Sequence, residues 1–186
     1  MHISIKMRKE TYQEIIIPEG VTVTIEDGLA IAKGPLGENK KSLNLYKIDL
    51  KIEGNKIVIG NKAATKRQKK MINTIAAHLK NMIKGVSEKF EYKLKICFSH
   101  FPFTVTMNGN EVEIKNFLGE KISRMVSVPE GADVDIQKDI ITVGSIDKEI
   151  AGQAAANFEI ATKIRGKDTR IFQDGIYITE KCGRAM

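Results

Sequence analysis

The feature that most constrains this chain is that it repeats itself. Val23-Thr24-Ile25-Glu26-Asp27-Gly28 returns as Val105-Thr106-Met107-Asn108-Gly109-Asn110, and Leu36-Gly37-Glu38 returns as Leu118-Gly119-Glu120, both 82 residues further on. Ile57-Val58-Ile59-Gly60 returns as Ile141-Thr142-Val143-Gly144 after 84 residues, and two helix-like stretches end at Gly85 and Gly166, 81 apart. Self-similarity at one period means one supersecondary unit used twice. In 186 residues this predicts an α+β protein of two duplicated domains, 1–85 and 86–186. Each is expected to be a small, mainly antiparallel sheet with one helix packed on a face. Pro18-Glu19-Gly20 against Pro129-Glu130-Gly131 reads as a third, shorter echo.

Strands show as period-2 alternation between turn residues. Val21–Ile25 and Leu29–Ala32 flank an Asp27-Gly28 hairpin signal. Ile48–Ile52 and Lys56–Ile59 flank Gly54-Asn55. Thr104–Met107 and Val112–Ile114 flank Asn108-Gly109-Asn110, and Val134–Ile136 precedes Ile140–Val143. A helix over 62–84 is expected from Met71, Ile72, Ile75, Leu79, Met82 and Ile83, with Asn61 as N-cap and Gly85 just past its end. A second over 147–165 has Asp147 as cap, Ile150, Ala154, Phe158, Ala161 and Ile164 as its stripe, and Gly166 as its stop. Residues 86–100 read as a connector holding the strand-like Tyr92–Phe98.

Charge narrows the function classes. There are 30 Lys and Arg against 23 Asp and Glu, net +7, and a basic chain of this size prefers polyanions. Residues 1–85 carry 16 basic and 8 acidic side chains, 101–162 carry 5 and 10, and 163–186 carry 6 and 3. Two positive regions thus flank an acidic body. No apolar run approaches the roughly 20 residues that span a bilayer, and Met1–Lys6 has no signal-peptide core. Cys97 and Cys182 are too few and too far apart for a disulfide framework or a metal set, which points to a reducing, cytoplasmic setting. His2, His78 and His100 share no ligand spacing, so no metal and no cofactor are expected. Ala32–Gly37 is glycine-rich but lacks the Gly-Lys-Ser/Thr ending of a phosphate loop. No nucleophile–base pair or repeated carboxylate pair argues for an enzyme.

Two basic segments are candidate contacts. The first helix is expected to open with Lys62, Lys66, Arg67, Lys69 and Lys70, which can line a phosphate backbone or simply solubilise the helix. Positive charge in a first helical turn opposes the helix dipole, which favours the functional reading. His100 and Lys121 join this group as secondary polyanion contacts. The second segment is the tail, where Lys163, Arg165, Lys167 and Arg170 precede Phe172, an Asp174-Gly175 turn, Tyr177 and Lys181. Arginine can hold phosphate bidentately, and exposed aromatics can stack on bases. Phe172 and Tyr177 serve equally well as core residues of a last strand.

Several of these motifs together resemble the family of the sixth protein of the large ribosomal subunit, in its archaeal and eukaryotic form. The likeness covers nearly the whole chain. It is carried by Ile17–Val21, Lys33–Gly37, Ser99-His100-Phe101-Pro102, Asn116–Lys121 and, most densely, Lys167–Ile178. The Tyr-Lys-Gly-Lys tail of the bacterial form is absent. The resemblance implies two similar α+β domains, no catalysis, and a ribosomal location in the cytoplasm. It also implies binding to large-subunit ribosomal RNA mainly through the second domain, among neighbouring ribosomal proteins and beside the site where translation factors dock. Charge alone puts the surplus in the first domain. The family puts the main contact in the second, and the positive tail agrees with the family, since RNA needs a positive strip rather than a positive domain. A free-standing RNA-binding or chaperone protein, and an adaptor for an acidic partner, are the alternative functions.

Overall fold

The computed structural model describes residues 9–99 and 101–186. The chain divides into two compact units, Met1–Glu88 and Lys89–Met186.

The first unit runs β1 (Lys9–Ile16), β2 (Thr22–Glu26), β3 (Leu29–Gly34), β4 (Gly37–Ser42), β5 (Asp49–Glu53), β6 (Lys56–Ala64) and α1 (Lys66–Ser87). Its strands form two antiparallel three-stranded sheets, ordered β1-β6-β5 and β2-β3-β4. Period-2 burial explains which residues are inside: Ala30 and Ala32 on β3, and Ile57 and Ile59 on β6. The helix answers with Ile72, Ile75, Ala76, Leu79, Met82, Ile83 and Val86, a stripe at helical spacing. Burying each large aliphatic side chain of this set contributes about 1.5–3 kcal/mol. At Asp27-Gly28 both residues have positive φ, 46° and 79°, as a two-residue type I′ hairpin requires.

The second unit repeats that order with β7 (Phe90–Cys97), β8 (Thr104–Asn108), β9 (Glu111–Lys115), a 3-10 turn at Phe117–Gly119, β10 (Arg124–Ser127), β11 (Asp133–Gln137), β12 (Ile140–Ser145) and α2 (Lys148–Ala161). It then adds β13 (Gly175–Lys181) and β14 (Arg184–Ala185). Its sheets are β10-β9-β8 and β11-β12-β7-β13-β14, again antiparallel throughout. β7 pairs β12 as β1 pairs β6, and buried Ile141 and Val143 stand where Ile57 and Ile59 stand. The fold is therefore α+β with the duplication read from the repeat.

Several expected boundaries are corrected. α1 begins at Lys66, not 62. Thr65 caps it, its hydroxyl accepting from the Gln68 N–H (3.3 Å) while the Gln68 side chain accepts from the Thr65 N–H (2.8 Å), a capping box. Asn61 is not the cap. It lies in β6 and donates to the Lys47 carbonyl at 2.6 Å. β6 runs on to Ala64 because Ala64 still pairs with Lys9, so Lys62 belongs to a strand. Gly85 does not stop α1 either, being buried inside a helix that ends at Ser87. The extra turn brings Val86 against β3: its carbonyl accepts the Leu36 N–H at 3.1 Å, and a Cβ on Gly34 would meet the Val86 side chain at 2.8 Å.

α2 ends at Ala161, before the expected 165, so Ile164 and Gly166 (φ +68°) lie in the following loop. The Thr162 hydroxyl turns back on the Phe158 carbonyl at 3.1 Å and closes the helix. Asp147 is the N-cap, accepting from the Glu149 N–H at 2.8 Å. The segment read as a connector holds β7, which sits between β12 and β13 in its sheet. Pro18–Gly20 joins β1 to β2, whereas Pro129–Gly131 joins β10 to β11. That echo is one turn chemistry used at two non-equivalent places, with Gly20 and Gly131 at φ +83° and +85° and a bond back to each proline carbonyl.

Candidate nucleic-acid interface

The basic tail is a loop pinned at both ends. At its start, the Thr162 hydroxyl accepts the Ile176 N–H at 3.0 Å, and Glu159 accepts the Ile178 N–H at 2.9 Å. At its end, Asp174 is buried (1% exposed) and accepts hydrogen bonds from the Ser99 N–H and hydroxyl. Asp174-Gly175 is thus an anchor leading into β13 and not the expected turn. The turn lies earlier. The Asp168 carboxylate accepts the Arg170 N–H at 2.9 Å, and its carbonyl accepts from Ile171 and Phe172 at 3.2 and 3.0 Å. An Asp side chain bonding to the backbone two residues on is a common way to fold a loop.

That frame presents Lys163, Arg165, Lys167 and Arg170, all exposed. The Lys167 ammonium sits 4.6 Å from the centre of the Phe172 ring, within cation–π range. Phe172 is half-buried and Tyr177 is 45% exposed, so neither is the core residue of a last strand. With Lys163, Thr169 and Ile176 they line a hollow of about 410 Å³. The Tyr177 hydroxyl faces the carbonyls of Gln173 and Asp174 at 3.4 and 3.5 Å. Burial first, then the negative charges of Cys97, Asp174 and Glu159, hold its phenol above the ordinary tyrosine range.

Arg124 organises the base of the loop. Its guanidinium makes two bonds to the Glu120 carboxylate, at 2.8 and 2.6 Å, and a third to the Ala161 carbonyl at 2.7 Å. It also lies 4.4 Å over the Phe117 ring. A cation on the last carbonyls of α2 complements the negative helix end. The Arg124 hydrogen bond, and less so the positive fields of Arg124 and Lys167, keep the Glu120 carboxyl below the usual carboxylate range. Lys163 and Arg165 flank a second hollow, about 430 Å³, with Arg124, Met125 and Ile160. Lys121 is exposed beside Glu120 on the same loop.

Lys181 is separated from this group. It lies six residues along β13, about 20 Å at roughly 3.3 Å per residue, beside a different hollow with Tyr92, Lys148, Cys182 and Arg184. There burial, reinforced by a hydrogen bond with Cys182, pushes the Tyr92 phenol up to about 12. Lys66, Arg67, Lys69 and Lys70 are exposed on α1 and Lys62 on β6. Among the described residues none of the five forms an ion pair. His100 lies outside the described residues. The sequence reading did not find Arg124, Thr162 or Glu159, which carry no motif, nor a role for Glu120 beyond its place in the Leu-Gly-Glu repeat, nor the Ser99–Asp174 link, whose residues are 75 apart. Among the described residues no group of His, Cys, Asp and Glu could hold a metal, and no helix is long and apolar enough to cross a membrane.

Known proteins match this arrangement along nearly its full length. The family described as Ribosomal protein L6 matches residues 17–89 and 101–175, once per unit. A protein of Methanococcus vannielii named large ribosomal subunit protein uL6 is 46% identical over 174 residues, 94% of this chain and 96% of its own length. Proteins of the same name from Methanothrix thermoacetophila and Methanobrevibacter smithii are 44% and 45% identical, covering 94% and 91% of this chain and 99% and 95% of their own. With both repeats matched and the identity sustained from end to end, the chain belongs to the ribosomal protein L6 family.

Proposed function

We propose that this chain is a structural, non-catalytic component of the large ribosomal subunit in the cytoplasm, and that it binds large-subunit ribosomal RNA through the loop 163–172. The observation that carries the reading is the pinned loop itself. Four exposed cations stand on a segment fixed at Thr162 and Asp174, in a unit whose remainder is acidic. Arg165, Lys167 and Arg170 contact phosphates, with Lys163 at the edge. Phe172 and Tyr177 offer ring faces to a ribose or base. Phosphate contacts position without reading sequence, so selectivity comes from RNA shape. The names of the archaeal relatives support the ribosomal assignment. The resemblance of the tail motif supports a place among neighbouring ribosomal proteins, beside the translation-factor docking region.

Co-sedimentation with large subunits after a high-salt wash tests this reading. Retention in the large-subunit fraction is expected. A chain that washes off and binds short RNAs alone would instead be a free-standing RNA-binding protein, and one that prefers an acidic protein would be an adaptor.

A further inference from the structure

α1 contains Lys66, Arg67, Lys69, Lys70, Lys80 and Lys84 and no Asp or Glu in its 22 residues. At 100° per residue, Lys66, Lys70, Lys80 and Lys84 fall on one line, opposite the buried stripe of Ile72, Ile75, Leu79 and Val86. All four lysines are exposed. They span 18 residues, about 27 Å at roughly 1.5 Å per residue. Two i,i+4 like-charge pairs, and cations in a first turn without an acid, each weaken an isolated helix. Surface helices ordinarily relieve such repulsion by interspersing acids, and this helix has none.

From this geometry we infer a second RNA contact in the first unit: the line Lys66–Lys70–Lys80–Lys84 lies along an RNA phosphate backbone, independently of the loop 163–172. The cluster read from the sequence is thereby regrouped. Lys62 is on a strand, Arg67 points away from the line, Lys69 flanks it beside the angle of Lys80, and Lys80 and Lys84 join it. The surface between the lysines carries Asn73, Thr74 and Ala77, and no large apolar or aromatic residue. Protein interfaces are depleted in lysine and are anchored by aromatic and aliphatic side chains. A cationic strip of two lysine pairs about 15 Å apart along the helix, at roughly 1.5 Å per residue, without such anchors fits a polyphosphate.

The inference rests on the RNA-binding reading above, and one experiment separates the two. The full chain, the quadruple variant K66Q/K70Q/K80Q/K84Q and the tail variant R165Q/K167Q/R170Q are titrated against a mixed-sequence RNA duplex across a potassium chloride series. Glutamine keeps a helix propensity close to that of lysine, and circular dichroism checks that α1 persists. Each phosphate contact contributes about 0.7–0.9 to the slope of log K against log salt. The quadruple variant is therefore expected to lose roughly three units of slope whether or not the tail cations are present. Unchanged slope and affinity in the quadruple variant, with binding lost in the tail variant, would overturn the second contact and leave the first. No binding by the wild-type chain would overturn both. Binding to anionic vesicles or polyglutamate with the same loss in the quadruple variant, but not to the duplex, would assign the strip to another partner and sink the inference.

Discussion

Arg124 holds Glu120 through both carboxylate oxygens while the same guanidinium caps the carbonyl of Ala161. One side chain thus joins the loop after β9, the end of α2 and the start of the basic tail. The first unit makes the equivalent tie with backbone alone, the Leu36 N–H meeting the Val86 carbonyl. In both units a residue in or shortly after Leu-Gly-Glu donates to a carbonyl of the last helical turn, Leu36 to Val86 and Arg124 to Ala161.

Arg124→Gln is expected to lower the stability of the second unit by about 1–3 kcal/mol, since a charge-assisted fork and a helix-end donor are lost together. Amide hydrogen exchange should speed up in the last turn of α2 and in 163–172. Arg124→Lys should recover little, because an ammonium cannot fork. The Glu120 pKa is depressed, so the contribution of the pair is present above the ordinary glutamate pKa, about 4.3, and lost as pH falls through the lower folded value. The wild-type loop should loosen in the same way on acidification, with unchanged exchange in acid counting against the pair.

Neutralising Arg165, Lys167 and Arg170 together with Gln, in the full chain, should flatten the salt dependence of binding to a large-subunit RNA fragment by about two to three units of slope. Equal slopes for wild type and variant would remove these side chains from the interface.

Thr65→Ala should destabilise α1 by about 0.5–2 kcal/mol, the usual value of an N-cap. Asn61→Ala should leave the helix start intact and act through the lost bond to Lys47. Chemical-shift changes in residues 66–69 distinguish the two. Fraying of the first turn in the Asn61 variant alone would move the helix start back to 62.

Gly34→Ala places a methyl within 2.9 Å of both the Val86 side chain and its carbonyl. Overpacking of this kind costs about 1–3 kcal/mol, and the denaturation midpoint of the first unit should drop accordingly. An unchanged midpoint would mean that α1 and β3 are not in close contact there.

Because the Tyr92 phenol is raised to about 12, folding favours its neutral form. The stability it contributes is fully present below the ordinary tyrosine pKa, about 10, and is lost as pH rises toward 12. Tyr92→Phe should make the second unit less sensitive to alkali, and ultraviolet titration should lose its latest-ionising tyrosine. A tyrosinate signal complete by the ordinary range would refute the buried position.

Much of the fold was legible because hairpins announce themselves locally. Asp27-Gly28 and Gly109 need only their neighbours and a period of 2. The apolar line Ile72-Ile75-Leu79 needs only a period of 3.6. β1 was not legible. Its inward positions include Thr11 and Gln13, so the strand shows no apolar alternation, and pairing with β6 is what defines it. The start of α1 was ambiguous for a related reason. Asn61 and Thr65 are both capping residue types, and a strand pairing from the far end of the unit selects the second. In the tail, the cations were legible as a cluster. Their frame was not, because Arg124 meets Ala161, and Ser99 meets Asp174, only after the sheets have formed.

β13 has a consequence beyond presenting the loop. It pairs along β7, whereas among the described residues no strand pairs along the corresponding outer side of β1. An uncovered strand is a template on which another copy of the chain can add itself. In the second unit Gly175–Lys181 covers that side of β7, so the edge passes to β13, whose own outer side is paired only where the two-residue β14 meets Glu180 and Lys181. In the first unit β1 carries charge along its exposed face, at Glu10 and at Glu14, which pairs with Lys56 at 3.2 Å, and charged side chains on an edge disfavour such addition. The two halves of this duplication thus treat the same strand edge by different means, one by adding a strand and the other by charge.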